Sequence, residues 1–152
     1  MPRKIRDLSK TDQSPSLHDC RIVGVKLLAT GVEFQLDRLW DGAAEIPNAR
    51  VFVHGVGAED IICEVVRLVR FAHRFRKICT PCDFEELAAG IDPAHPLELN
   101  NEFYAYNQIF WEVSKLPYRG RGKTPRVTME MTSSESIVVE YLIAEETEEN
   151  AC

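Results

Sequence analysis

Apolar residues in the N-terminal third recur with a period of two. Val32, Phe34 and Leu36 alternate with Glu33, Gln35 and Asp37, the pattern of a half-buried strand. Upstream, Val23, Val25 and Leu27 share one face, and Ala29-Thr30-Gly31 reads as a three-residue hairpin turn with glycine at the left-handed position. The two strands are expected to pair antiparallel. Residues 39–47 then read as a loop, and residues 49–54 carry the β-branched and aromatic side chains of a third strand. A meander is the simplest topology.

From Glu59 the period changes. Ile61, Val65, Leu68, Val69, Ala72 and Phe75 recur at three and four, with acids at the start and Arg74, Arg76 and Lys77 at the end, which favours an amphipathic helix over 59–77. Against it, Ile61-Ile62-Cys63-Glu64-Val65-Val66 is rich in strand formers. Asp83, three residues before Glu86, is placed as an N-cap for a short helix over Phe84–Ala89 that ends at Gly90. Asp92-Pro93-Ala94-His95-Pro96 forces irregular backbone. Residues 103–116 fit a buried helix or a buried strand equally. Val127, Met129 and Met131, a polar turn at 133–135, and Ile137, Val139, Tyr141 and Ile143 read as a second hairpin.

The pattern predicts an α+β fold: an antiparallel sheet built from an N-terminal meander and a C-terminal hairpin, with one or two helices packed on one face. Residues 1–16 are polar and end in Ser14-Pro15-Ser16, so they read as a flexible arm. Residues 17–144 form the single domain, and 145–152 an acidic tail. A length of 152 residues is enough for one real core.

Composition narrows the class. A hydrophobic share of 45% and a charged share of 28% exclude a disordered or fibrous chain. No apolar run approaches the roughly 18 residues of a spanning helix, and Arg3-Lys4-Ile5-Arg6 is followed by polar residues, so no membrane role and a cytoplasmic location are expected. Five cysteines, an odd number, agree with free thiols in a reducing compartment. The net charge of −6 argues against a general coat for nucleic acid, yet basic residues cluster at 67–77 and 115–126 and glutamates at 140–149.

Candidate chemistry is sparse, and the chain is read as non-enzymatic. Cys79-Thr80-Pro81-Cys82 has the spacing of a redox dithiol or half a zinc site, with His95 as a third ligand, but the segment before it is basic and prolines break the helix a zinc finger needs. His18-Asp19 matches the adjacent pair of metal-dependent HD phosphohydrolases. Those enzymes need a ligand histidine upstream, and His18 is the first histidine in the chain. No Gly-x-Ser-x-Gly, Walker or dinucleotide glycine pattern is present. Tyr118, Arg119, Arg121 and Lys123 form a basic loop beside an aromatic ring, suited to phosphates and bases or to an acidic protein.

The segment Leu17-His18-Asp19-Cys20, with the strands 22–28 and 32–37 behind it, resembles small bacterial domains of the YxiG-like and polymorphic-toxin immunity type. Those domains begin with a Leu/Trp-His-Asp segment entering an antiparallel sheet, and the resemblance covers residues 17–56. It implies a non-catalytic protein without cofactor that binds a protein partner, such as a bacterial toxin, and an acidic inhibitor would complement a basic toxin. The expected partner-binding residues are His18, Asp19, Tyr118, Arg119, Arg121 and Lys123. Two alternatives stand beside it: a nucleic-acid-associated protein using the 115–126 loop with Arg67, Arg70 and Arg74, and a redox or zinc protein centred on Cys79 and Cys82. An uncovered sheet edge also allows a homodimer.

Overall fold

The alternation at Val32, Phe34 and Leu36 places all three in the core of the strand Gly31–Leu36 (β3), which pairs antiparallel with Arg21–Leu28 (β2). The structure is a computed structural model that describes residues 3–7, 15–118, 120 and 124–142. Leu28 pairs with Gly31, so the turn holds only Ala29 and Thr30. Gly31 is a strand residue outside the left-handed region. It is glycine because a Cβ there would lie 2.2 Å from the Val53 carbonyl oxygen and 3.0 Å from the Phe52 ring.

Arg50–His54 (β6) pairs with the other side of β3, which completes the expected meander. The stretch read as a loop between them is itself a small hairpin of Arg38–Asp41 (β4) and Ala44–Pro47 (β5), and it buries Leu39.

The remaining strands are Arg3–Asp7 (β1), Ile61–Phe71 (β7), Arg74–Cys82 (β8), Leu97–Ala105 (β9), Gln108–Lys115 (β10), Arg126–Thr132 (β11) and Val138–Leu142 (β12). Ten strands of the described residues form one antiparallel sheet in the order β1-β12-β6-β3-β2-β9-β10-β11-β7-β8. Within the stretch read as a flexible arm, β1 pairs with β12 from Arg3↔Leu142 to Asp7↔Val138.

The seam at the middle of the sheet is narrow: β2 meets β9 only at Arg21↔Glu98 and Ile22↔Leu97. The sheet folds over there. Phe34 of β3 and Trp111 of β10, with β2, the seam and β9 between their strands, meet edge to face with ring centroids 4.8 Å apart. Phe84 closes on Phe34 at 6.4 Å from the single α-helix of the described residues, Phe84–Ala89 (α1). As expected, Asp83 caps α1, its carboxylate accepting the Glu86 N–H at 3.2 Å. No helix among the described residues is long and apolar enough to cross a membrane.

The fold class and the helix over 59–77 are overturned. The fold is an antiparallel β architecture with one short helix and a 3₁₀ turn at Ala58–Asp60, not an α+β sheet carrying helices on one face. The expected helix over 59–77 is the β7–β8 hairpin. Ile61 and Cys63 are buried against β11, while everything from Arg67 through Pro81 is exposed, so the three-and-four spacing there marks no buried stripe. The β-branched residues of 61–66 decide the conformation.

The C-terminal hairpin is also absent. β11 lies between β10 and β7, whereas β12 lies between β6 and β1. Alternation located both strands and their inner faces, but a period of two carries no information about which neighbour a strand takes. Residues 103–116 resolve as β9 and β10 joined at Tyr106-Asn107.

Candidate partner-binding surface

Leu17 and Cys20 are fully buried and hold His18 and Asp19 out at a tight corner, closed by the Cys20 N–H donating to the Leu17 carbonyl at 3.1 Å. Asp19 is left-handed, with φ 63°, and the His18 Nδ1 lies 3.0 Å from its Oδ2 in solvent. Behind the corner runs a polar chain. The Trp111 indole donates to the Tyr104 hydroxyl at 3.3 Å, which donates to Glu102 Oε1 at 2.6 Å, and Glu102 Oε2 accepts the Leu17 N–H at 2.8 Å. Burial, then the Glu102 carboxylate, holds the Tyr104 phenol well above its ordinary range. Burial pushes the Cys20 thiol up to about 12, with Asp37 and Glu102 adding to it. Cys20 is therefore a packed, protonated thiol, and the motif anchors a loop whose tip alone faces solvent.

Cys79 and Cys82 do not form a site together. Both lie on β8, where residues three apart point to opposite faces. Cys82 faces Cys63 across the hairpin, Cys79 faces Val66, and burial, then Cys82, pushes the Cys63 thiol up to about 12. His95 is engaged in its own turn, its Nδ1 3.0 Å from Asp92 Oδ1. Among the described residues no group of three histidine, cysteine or carboxylate side chains is placed to hold a metal. The two-residue gap lies within an extended strand, which sets the two thiols on opposite faces.

The distal half of β7–β8 carries Arg67, Arg70 and Arg74, offered by the sequence for nucleic acid, on a strand hairpin in place of the expected helix. β11 pairs with β7 only as far as Val66, so the hairpin beyond it projects as a two-stranded arm. Its five outermost rungs are Arg67↔Ile78, Leu68↔Lys77, Val69↔Arg76, Arg70↔Phe75 and Phe71↔Arg74. Every rung sets one cation against one apolar residue, so both faces of the arm carry both. Phe71 and Phe75 at the end are 75% and 73% exposed. No acid occurs between Glu64 and Asp83.

Most of the described cations off the arm are paired, Lys115 being the exception. Arg21, Lys26, Arg38, Arg50 and Arg126 each lie within 4.0 Å of a carboxylate. Among the described residues no carboxylate lies within that distance of Arg67, Arg70, Arg74, Arg76 or Lys77. The signal available in the sequence was the acid-free stretch of five cations interleaved with apolar residues; a helical reading distributed it round a cylinder.

A groove of about 940 Å³ lies between the arm and the β10–β11 connection, lined by Arg67, Leu68 and Lys77 on one wall and Tyr118, Thr124 and Arg126 on the other. The two basic segments seen in the sequence thus border one groove. Arg119, Arg121 and Lys123 lie outside the described residues. Arg126 is already paired, its guanidinium donating to Glu112 at 2.7 Å. His18 and Asp19 are not among the residues that line the groove. No family model, curated protein or solved structure matches this chain.

Proposed function

We propose that this chain is a non-catalytic protein-binding module that docks an acidic partner along the β7–β8 arm. The observation that carries it is the arm itself: five successive exposed rungs, each joining an apolar side chain to a cation with no carboxylate partner among the described residues. Contiguous exposed apolar surface marks interaction sites, and aromatic residues and arginine are the side chains that dominate binding energy in protein interfaces. Those cations on a chain of net charge −6 select against copies of the arm and for acidic surfaces.

An immunity-type inhibitor of a bacterial toxin is one form of such a module, and on this surface the toxin would present an acidic face. The test is affinity capture from the native host, comparing the wild-type chain with Phe71→Ser/Phe75→Ser and Arg74→Glu/Arg76→Glu. The reading expects the same protein to be lost in both variants. Retention of every captured protein by both variants removes the arm as the docking surface.

A second reading, binding of nucleic acid, is favoured by the convergence of the two basic segments on the groove beside Tyr118. It predicts capture that nuclease treatment abolishes and binding to single strands that weakens steeply with salt.

A further inference from the structure

We infer that β8 is a strand-addition edge, on which an acidic, extended segment of the partner pairs antiparallel along the arm. This rests on the docking reading above and specifies how the partner enters. β8 is the terminal strand of the sheet, nine residues long, and among the described residues it is hydrogen-bonded only to β7. Its outer row of backbone donors and acceptors is the recognition element of strand addition, in which the main chain supplies affinity and alternate side chains supply specificity.

The side chains of β8 define the segment that fits. Arg74, Arg76 and Ile78 point to one face, Phe75 and Lys77 to the other. A strand laid beside β8 therefore meets cations on both of its faces, with Phe75 and Ile78 offering apolar neighbours in between. A segment in which carboxylates alternate with β-branched residues sets its carboxylates on one face, beside Arg74 and Arg76, and its apolar side chains on the other, beside Phe75.

A row of basic side chains is also the ordinary way to protect an open edge from other copies of the same chain. That protection is selective by sign. Two β8 edges brought together put Arg74, Arg76 and Lys77 of each copy on one ribbon, with no carboxylate on either arm to compensate. An acidic strand meets no such barrier, so the edge closed to a second copy is open to this partner.

The probe is a nine-residue peptide of alternating glutamate and valine, labelled for fluorescence anisotropy and used with the full chain at low ionic strength. Two controls accompany it. One has the same sequence N-methylated at alternate residues, which keeps charge and side chains but removes one row of N–H donors; it is made in both phases. The other is a single-stranded oligonucleotide of similar charge.

Strand addition expects the parent peptide to bind, with amide exchange slowed at residues 74–82. Binding should fall at least about tenfold in one N-methylated phase and by a similar factor in Arg74→Glu/Arg76→Glu. Equal binding of the parent and both N-methylated peptides, still lost in the charge-reversed variant, overturns strand addition and leaves docking by the arm intact. Failure of every acidic peptide while the oligonucleotide binds overturns both readings in favour of nucleic acid. A dimer dissociated by Ile78→Arg, with β8 amides protected in the absence of any peptide, assigns the edge to a second copy and also overturns the inference.

Discussion

The Glu102 carboxylate accepts the Leu17 backbone N–H at 2.8 Å, joining positions 85 residues apart in the chain. Its other oxygen takes the Tyr104 hydroxyl, so one side chain ties the entry loop to the central strands. Glu102→Ala leaves a buried phenol and a backbone N–H without their acceptor and is expected to cost about 1–3 kcal/mol. Glu102→Gln keeps one acceptor oxygen and should cost less. Urea denaturation of the two variants checks the order.

Alkaline pH should act through the same interior. The folded-state thiols of Cys20 and Cys63 are raised from 9.0 to about 12, and Tyr104 is raised as well. Above pH 9 the folded chain thus holds protons that the unfolded chain releases. This stabilisation is complete below pH 9 and is lost as pH climbs toward 12. Cys20→Ala and Cys63→Ala should each flatten that decline by up to about 1.4 kcal/mol per pH unit, whatever they cost at neutrality. Denaturation midpoints measured across the alkaline range provide the test; an unchanged slope in both variants refutes it.

Backbone conformation makes separate claims at three positions. Ala72, the first residue of the β7–β8 turn, has φ 55°, a region in which alanine is strained and glycine is not. Ala72→Gly should raise the stability of the hairpin by about 0.5–1 kcal/mol, read from exchange protection on β7 and β8. Asp19→Val, forcing a β-branched residue into φ 63°, should destabilise by about 1–2 kcal/mol. Gly31→Ala should cost about 1–3 kcal/mol for the opposite reason, because its Cβ meets the backbone of β6.

Phe71 and Phe75 separate binding from folding. Their exposure predicts that Phe71→Ser and Phe75→Ser shift stability by no more than about 0.5 kcal/mol. Phe34→Ala, by contrast, opens a cavity against Trp111 and Phe84 and should cost about 3–5 kcal/mol. Thermal melts of the three variants, set beside partner capture, distinguish a lost surface from a lost fold.

The legible parts of the molecule were those in which pattern and burial agree. Alternation at Val32, Phe34 and Leu36 found β3, whose apolar residues are all buried, and the cap at Asp83 placed α1 to the residue, whereas β2 buries only Ile22 and a bulge between Ile22 and Gly24 breaks the face expected of Val23, Val25 and Leu27. Where burial is missing the pattern misled. Leu68, Val69 and Phe75 are apolar without being covered, and their spacing imitated a helix because no core selects among periods there. The separation of Met131 from Val139 was hidden for another reason: strand neighbours are fixed by contacts distant in sequence, and Ser133 to Ser136 looks the same whether it turns back or crosses over. The resemblance at Leu17–Cys20 pointed to His18 and Asp19, whereas the exposed Phe71 and Phe75 and the five cations beside them lie elsewhere, on the arm.

The position of β12 between β1 and β6 has a consequence during synthesis. A chain leaving the ribosome makes β6 early and β12 last, so Val51 and Val53 wait with an open edge until residues 138–142 emerge. The β7–β8 hairpin joins near neighbours through a two-residue turn and needs no such delay. A nascent chain halted before residue 138 would therefore display a formed arm on an unfinished sheet, its cations and aromatic rings exposed before the fold that supports them is closed.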